Sequence, residues 1–314
     1  MQDNSQSLAT TQAKKVPQAK RQSWLKRNPH IPFVSPTIII MTMLFVLPIL
    51  FVICISLTNY KLGASLGQIR FQGLGNYIRL FNGTEAGFYH SVYLSLMFTV
   101  LGTFLQLVLG MACAMILNFE FKLKAVAIAC LIVPIAMTPS IASQIWKLML
   151  NQEFGIFNYF LNNTLGITVS WLDVNHAFIS VLIATVWQYT PFVTLMLYAG
   201  LRSLPESPYD SAKLEGANSL QMFVYITLPM MKRLIILCSL LRVIDMLKTF
   251  DIPYVLTQGG PGSATQFLSL LIYDTGFGET NFVSRASAMA VILIIIVSLL
   301  SLILFRAISR AREE

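Results

Sequence analysis

Charge is what this sequence lacks most. Asp, Glu, Lys and Arg make up 11% of its 314 residues, against about 25% in an ordinary soluble domain. Hydrophobic residues reach 55%. At about 100–200 residues per domain a soluble chain of this length would form two domains, and too little charge is present to coat them in water. Intrinsic disorder is excluded too, because it needs low hydrophobicity. No Gly-x-x-x-x-Gly-Lys-Ser/Thr string occurs, so the chain carries no Walker-type phosphate loop. No His-Glu-x-x-His pattern occurs either, and His30, His90 and His176 stand apart near the ends of apolar segments. Cysteine is scarce: Cys54, Cys113, Cys130 and Cys238 fall inside apolar runs without the paired spacing of a metal site or a disulfide framework. They read as small buried hydrophobes.

What is present is a series of apolar runs. A membrane-spanning helix needs about 20 mostly apolar residues. Five runs qualify plainly: Ile38–Leu57, Val92–Leu117, Ala125–Trp146, Ala177–Leu201 and Ala286–Phe305. A sixth, Leu234–Leu256, carries Arg242, Asp245, Lys248 and Asp251 yet is otherwise apolar. The expected fold class is therefore an all-α polytopic membrane protein with six transmembrane helices. Phe154–Leu172 also lacks charge, but Asn158, Asn162, Asn163, Thr164 and Gly166 break it up, and it is expected to be a loop or a partly interfacial helix. Residues 1–30 are expected to be a flexible cytoplasmic tail, residues 31–310 the transmembrane domain and 311–314 a short cytoplasmic C-terminus. The first apolar segment is too long for a cleavable signal peptide.

The formal charge of +8 follows topology and is not a nucleic-acid patch. Fifteen of the 22 Lys and Arg residues fall on the side that holds the N-terminal tail, the 2–3 loop, the 4–5 loop and the C-terminus. Cytoplasmic loops are enriched in these residues. Both termini are thus expected in the cytoplasm, which requires an even number of spans.

The 4–5 loop, residues 203–232, contains the string Ser207-Pro-Tyr-Asp-Ser-Ala-Lys-Leu-Glu-Gly-Ala217. Ser207 is placed to cap a helix and Pro208 to sit at its first position, with Asp210 near the positive helix end. The pattern predicts a cytoplasmic helix over 208–222. Ala212, Gly216 and Ala217 then form a small-residue patch, where a missing side chain allows another backbone to approach. By local pattern alone this is an ordinary interfacial helix. The longer string, including Phe223, Ile226 and Leu228-Pro229, resembles the cytoplasmic coupling loop of binding-protein-dependent ABC importer permeases, whose pattern is Glu-Ala-Ala-x-x-Asp-Gly-Ala followed later by Leu-Pro. Asp210 stands for the usual Glu, Ser211 for the first Ala and Glu215 for the Asp, while Arg233 occupies a position where Pro is common.

Span five ends in a second informative string. Arg242, Asp245 and Lys248 are spaced three apart, which lets one helix face hold neighbouring opposite charges. They form either a structural ion-pair ladder or a wet stripe beside a solute path. Pro253 is expected to interrupt the helix, and Gly259-Gly-Pro-Gly262 to turn the chain on the outer side. Phe250-Asp251, Tyr254-Val-Leu-Thr257 and Gly259-Gly-Pro261 resemble the carbohydrate-uptake branch of the same permeases, of the maltose and glycerol-phosphate type. So do Ser56-Leu-Thr-Asn-Tyr60 and Phe71-Gln-Gly-Leu-Gly-Asn-Tyr77 after span one.

The resemblance implies a five-part assembly: this chain, a second and non-identical permease, two ATP-binding-cassette ATPases and an extracytoplasmic solute-binding protein. It implies no cofactor on this chain, ATP being bound by the partner ATPases, and no enzymatic activity of its own. Asp210, Ala212, Glu215, Gly216 and Ala217 would meet the ATPase. Carbohydrate recognition needs hydrogen-bonding groups and flat aromatic faces, and Trp187, Gln188, Tyr189, Asp245 and Asp251 are candidates for the path. For Trp187 and Tyr189 an interfacial aromatic belt is the competing reading. The absence of an Arg cluster in the spans disfavours a phosphorylated substrate. An ion-coupled secondary transporter is the alternative. It would also explain charged span five, but would need no docking helix and would usually show an internal repeat.

Overall fold

A computed structural model describes residues 31–278 and 280–310. The expected 1–30 tail and the 311–314 C-terminus lie outside the described residues. The chain divides into a unit ending at Phe51 and a unit beginning at Val52.

The first unit is helical: α1 is Ile31–Met41, a π-helical turn covers Thr42–Val46, and α2, Leu47–Ser56, carries the same helix on into the second unit. The π turn has a local cause. Pro48 has no N–H to donate and its ring would crowd the carbonyl four residues back. Widening the preceding turn relieves both problems, and Leu47 N–H bonds to the Thr42 carbonyl five residues back. The same device recurs before Leu228-Pro229, where a π turn spans Phe223–Thr227 and Leu228 N–H bonds to the Phe223 carbonyl.

In the second unit, α3 (Gly75–Phe81) lies after span one, and buried Asn76 donates its side-chain amide to the carbonyls of Ser56 and Thr58 at 2.8 and 2.7 Å. Tyr77 adds a hydroxyl contact to Ser56 at 2.7 Å. Asn76 thus satisfies carbonyls that a helix end leaves open, and Tyr77 ties down the Ser56 hydroxyl beside them. Helix α4 is Phe88–Asn118, and α8, Ala177–Arg202, packs along it. Gly110 permits this approach: a Cβ there would stand 2.7 Å from Val193 Cγ1.

The third expected span is not one straight helix. It consists of α5 (Lys124–Ala136) and α6 (Pro139–Met149), bent by 100°. Pro139 pushes the residue before it out of helical geometry, and Met137 and Thr138 are extended with ψ of 144° and 141°. Among the described residues five helices are long and apolar enough to cross a membrane, and six spans result if this bent pair counts as one. Helix α7, Ile156–Leu165, closes at Gly166 and is too short to span, matching the expectation of a non-spanning segment.

Helices α9 (Ser207–Leu214) and α10 (Ser219–Met222) form the 4–5 loop, and α11 is Leu228–Leu247. Span five therefore ends at Leu247 and not at Leu256, and Lys248 and Asp251 fall beyond it. The expected break at Pro253 lies earlier, at Lys248–Phe250, and Pro253 sits in the first turn of a short helix α12, Asp251–Leu256, where a missing N–H is harmless. A turn with Gly259 and Gly262 at positive φ leads to α13 (Leu268–Phe277) and to the last span, α14 (Val283–Arg310). Three apolar clusters hold the bundle, around Phe98 and Val181, around Ala114, Val193 and Cys238, and around Leu268 and Met289.

Candidate functional site

Two places concentrate the chemistry. The first is a polar cavity of about 330 Å³ lined by Pro139, Tyr189, Arg242, Asp245, Lys248, Thr249, Phe250, Asp251 and Ile252. Its anchor is Arg242, of which 2% is exposed. A buried guanidinium is tolerable only when paired and hydrogen-bonded. Arg242 Nε donates to Gln106 Oε1 at 2.7 Å and Nη1 donates to Asp245 Oδ2 at 3.2 Å. Its Cζ lies 4.5 Å from the centroid of the Tyr189 ring, within cation–π range. One side chain of α11 thereby fixes Gln106 of α4 and Tyr189 of α8. Lys248 Nζ is 3.9 Å from Asp245 Oδ1. The ladder read from the three-residue spacing forms, and Asp245 and Lys248 at its exposed end line the cavity. Phe250, stacked with Tyr254 at 5.0 Å, adds an aromatic wall.

Tyr189, Asp245 and Asp251 meet at this cavity, whereas Trp187 and Gln188 do not line it. Trp187 is 38% exposed, packs edge-on to Trp146 at 5.7 Å and borders an apolar groove between α4, α5 and α8. Gln188 is buried and donates Nε2 to the Met137 carbonyl at 3.2 Å. It satisfies the backbone that the α5–α6 bend leaves open, as non-helical backbone at membrane depth requires. Sequence reasoning did not single out Gln106, Thr249 or Pro139. Gln106 had a signal, an amide in the middle of an otherwise apolar span.

The second place is the 4–5 loop. Its helix is not continuous over 208–222. Gly216 has φ of +83°, the left-handed conformation that glycine adopts without strain. Ala217 N–H bonds to the Ala212 carbonyl at 2.9 Å and Gly216 N–H to the Lys213 carbonyl at 3.1 Å. This is the Schellman arrangement that ends a helix. Asn218 and Gln221 then bond reciprocally, each 2.8 Å from the other's backbone N–H, in a capping box that starts α10. At the first end, Glu206 and not Ser207 holds the cap position, and no side chain closes it. Asp210 is exposed and pairs with Lys213 at 3.1 Å.

Ala212, Glu215, Gly216 and Ala217 line one depression together with Gln221, Met222, Tyr225 and Ile226. Around it stand apolar side chains without cover: Leu214 is 91% exposed and Tyr225 77%. Behind the loop, Glu120 accepts from Lys124 at 3.0 Å and from Arg202 at 3.3 Å. The Lys124 hydrogen bond, above all, holds the Glu120 carboxyl below its ordinary range.

A helical bundle that surrounds a polar cavity and exposes a helix–turn–helix on one connecting loop is the construction of a membrane transport component. The sequence profile described as "Binding-protein-dependent transport system inner membrane component" matches residues 106–313. The chain is 36% identical to the trehalose/maltose transport system permease protein MalF of Thermococcus litoralis, over 83% of this chain and 88% of the relative. It is 29% identical to the sulfoquinovosyl glycerol transport system permease protein SmoG of Agrobacterium fabrum, over 78% and 81%. The chain belongs to this family of ABC importer permeases, and its multi-pass architecture is that of an inner-membrane component. In fold it matches a chain of a bacterial ABC transporter involved in the import of the acidic polysaccharide alginate, with a TM-score of 0.77 at 18% identity over 91% of this chain and 97% of that one.

Proposed function

We propose that this chain is one of two non-identical permease subunits of an ATP-driven importer for an uncharged sugar or polyol. A solute-binding protein outside the cell delivers the substrate, and two ATPase subunits bind all the ATP. The chain itself catalyses no reaction. Its six spans leave both termini and the 4–5 loop in the cytoplasm, as the distribution of Lys and Arg supports. In this reading α9, Gly216 and α10 dock on an ATPase through Ala212, Glu215, Ala217 and Leu214, with Asp210 and Lys213 at the rim. Nucleotide-driven closure of the ATPases then rocks the spans between two access states.

The carbohydrate path runs by the Arg242 cavity. Tyr189 and Phe250 supply flat faces, and Asp245, Asp251 and Thr249 supply hydrogen-bonding groups. An uncharged substrate fits the ion pairing there, because Arg242 is held by Asp245 and Gln106 and Lys248 lies beside Asp245. The relative named for trehalose/maltose supports an uncharged carbohydrate, and the one named for sulfoquinovosyl glycerol, an anionic sugar derivative, supports the carbohydrate class alone. Trp187 and Gln188 would act behind this path, by packing on Trp146 and by supporting the α5–α6 bend.

One observation carries the coupling role. Leu214 is 91% exposed in a helix that buries none of its residues, a fully apolar side chain that the described residues leave uncovered. Leu214→Asp is expected to leave the melting temperature of the purified chain unchanged and to weaken capture of the cognate ATPase at least tenfold, the loss that burying a charge without a partner produces. Equal capture by the variant and the native chain sinks the docking role.

A further inference from the structure

Helix α10, the π turn and α11 together form one apolar helical stretch, Ser219–Leu247, of 29 residues. At 1.5 Å per residue that is a rod of about 43 Å. The Asn218–Gln221 capping box starts it. Arg242 and Asp245 stand in its last turns, at the polar cavity. The rod therefore joins the docking loop to the cavity without an intervening loop. Helix α9 is not part of it, being set off by the Gly216 turn, and it buries no side chain. A half-open pocket of about 650 Å³ with a mixed polar and apolar lining separates part of α9, at Tyr209, Asp210 and Lys213, from Met222 and Thr227. Apolar packing alone therefore gives α9 little grip on the rod.

A hydroxyl pair crosses this gap. Tyr209 Oη of α9 is 2.9 Å from Thr227 Oγ1, in the last position of the π turn. The Thr227 hydroxyl also points back to the Met222 carbonyl at 3.4 Å, which leaves its lone pairs to accept from Tyr209. Thr227 is buried and Tyr209 half-buried, so water competes weakly for the bond. The π turn puts Thr227 there. An α-helical count through Phe223–Thr227 would rotate the following helix by about 100° relative to α9.

We infer that the Tyr209–Thr227 hydrogen bond bolts the docking helix to the Ser219–Leu247 rod, so that displacement of α9 by a partner moves the cavity-lining end of α11. Tyr209 and Thr227 are positioning residues in this scheme and touch neither ATP nor solute. The inference rests on the reading of the 4–5 loop as the ATPase dock.

The test uses the assembled importer, with a Thr249→Cys reporter in the cavity wall and a membrane-impermeant maleimide as probe, in nucleotide-free and ATP/vanadate-trapped states. The change in labelling rate between the two states reports motion at the cavity without reference to any solute. Tyr209→Phe and Thr227→Val are each expected to retain ATPase capture and basal ATP hydrolysis while reducing that change roughly fivefold, the factor that one lost hydrogen bond makes. The double variant should be no worse than either single one, and Thr227→Ser should restore the native change. An undiminished change in both single variants, with capture intact, overturns the bolt alone. Failure of the native chain to capture the ATPase overturns the docking reading and the bolt together.

Discussion

Gly216 shows how much a single residue's backbone can decide. Small size at this position suggests close approach by a partner, and the φ of +83° adds a reason internal to the chain. A Cβ built at Gly216 meets nothing within 4 Å among the described residues beyond its chain neighbours, so a side chain would suffer from backbone strain and not from crowding. Alanine pays about 1 kcal/mol in the left-handed region, and asparagine pays less because its side chain bonds locally there. If the turn geometry is what matters, ATPase capture should fall further for Gly216→Ala than for Gly216→Asn. The reverse ranking in the same capture assay would mean that a partner backbone packs directly on the glycine. Arg242 makes a related point at the other end of α11. Its spacing from Asp245 was legible as a helical ion pair. Its partner Gln106, 136 residues away in the chain, was not, because nothing in a linear sequence relates an amide in one span to a guanidinium in another.

Among the elements, the bent α5–α6 pair departs most from expectation. Ala125–Trp146 has the length and hydropathy of a span, and composition alone treats it as straight. Pro134 and Pro139 mark the trouble, yet a proline can kink a helix slightly or end it, and which happens depends on whether other groups satisfy the freed carbonyls. Here Gln188 of α8 does so at Met137. Gln188→Leu is isosteric enough to fit and removes the donor. It should lower stability by about 1 kcal/mol, the net worth of one hydrogen bond, seen as a lower melting temperature in detergent. An unchanged melting temperature would show that the bend holds without Gln188. The two π turns, each directly before a Leu-Pro pair, give the opposite lesson. They are local consequences of proline chemistry, and the pairs Leu47-Pro48 and Leu228-Pro229 could have announced them.

At the level of the whole molecule, the arrangement that matters is which ends of the bundle share a side of the membrane. The distribution of Lys and Arg supports the proposal that the tail, the 2–3 loop, the 4–5 loop and the C-terminus share one side. Single cysteines introduced at Ser5, Glu206 and Glu313 should all react with an impermeant maleimide only in inverted vesicles, and one introduced at Glu153 only in right-side-out cells. Reaction of the 206 position from outside would reverse the topology and remove the 4–5 loop from any cytoplasmic partner.

The class of protein, the approximate spans, the presence of a helix in the 4–5 loop and the charged face of span five were all present in the linear order of residues, whereas the cap position at Glu206 in place of Ser207 and the break of that loop helix at Gly216 were not. Each of the former depends on hydropathy, charge or spacing within a few turns of one helix. The tertiary structure alone decided that Arg242 rests on Gln106 and Tyr189, that span three bends by 100°, and that Tyr189, Asp245 and Asp251 face one cavity while Trp187 and Gln188 do not. These outcomes depend on how helices far apart in sequence rotate against each other, and a rotation of one residue step, about 100°, turns a cavity-facing side chain toward lipid.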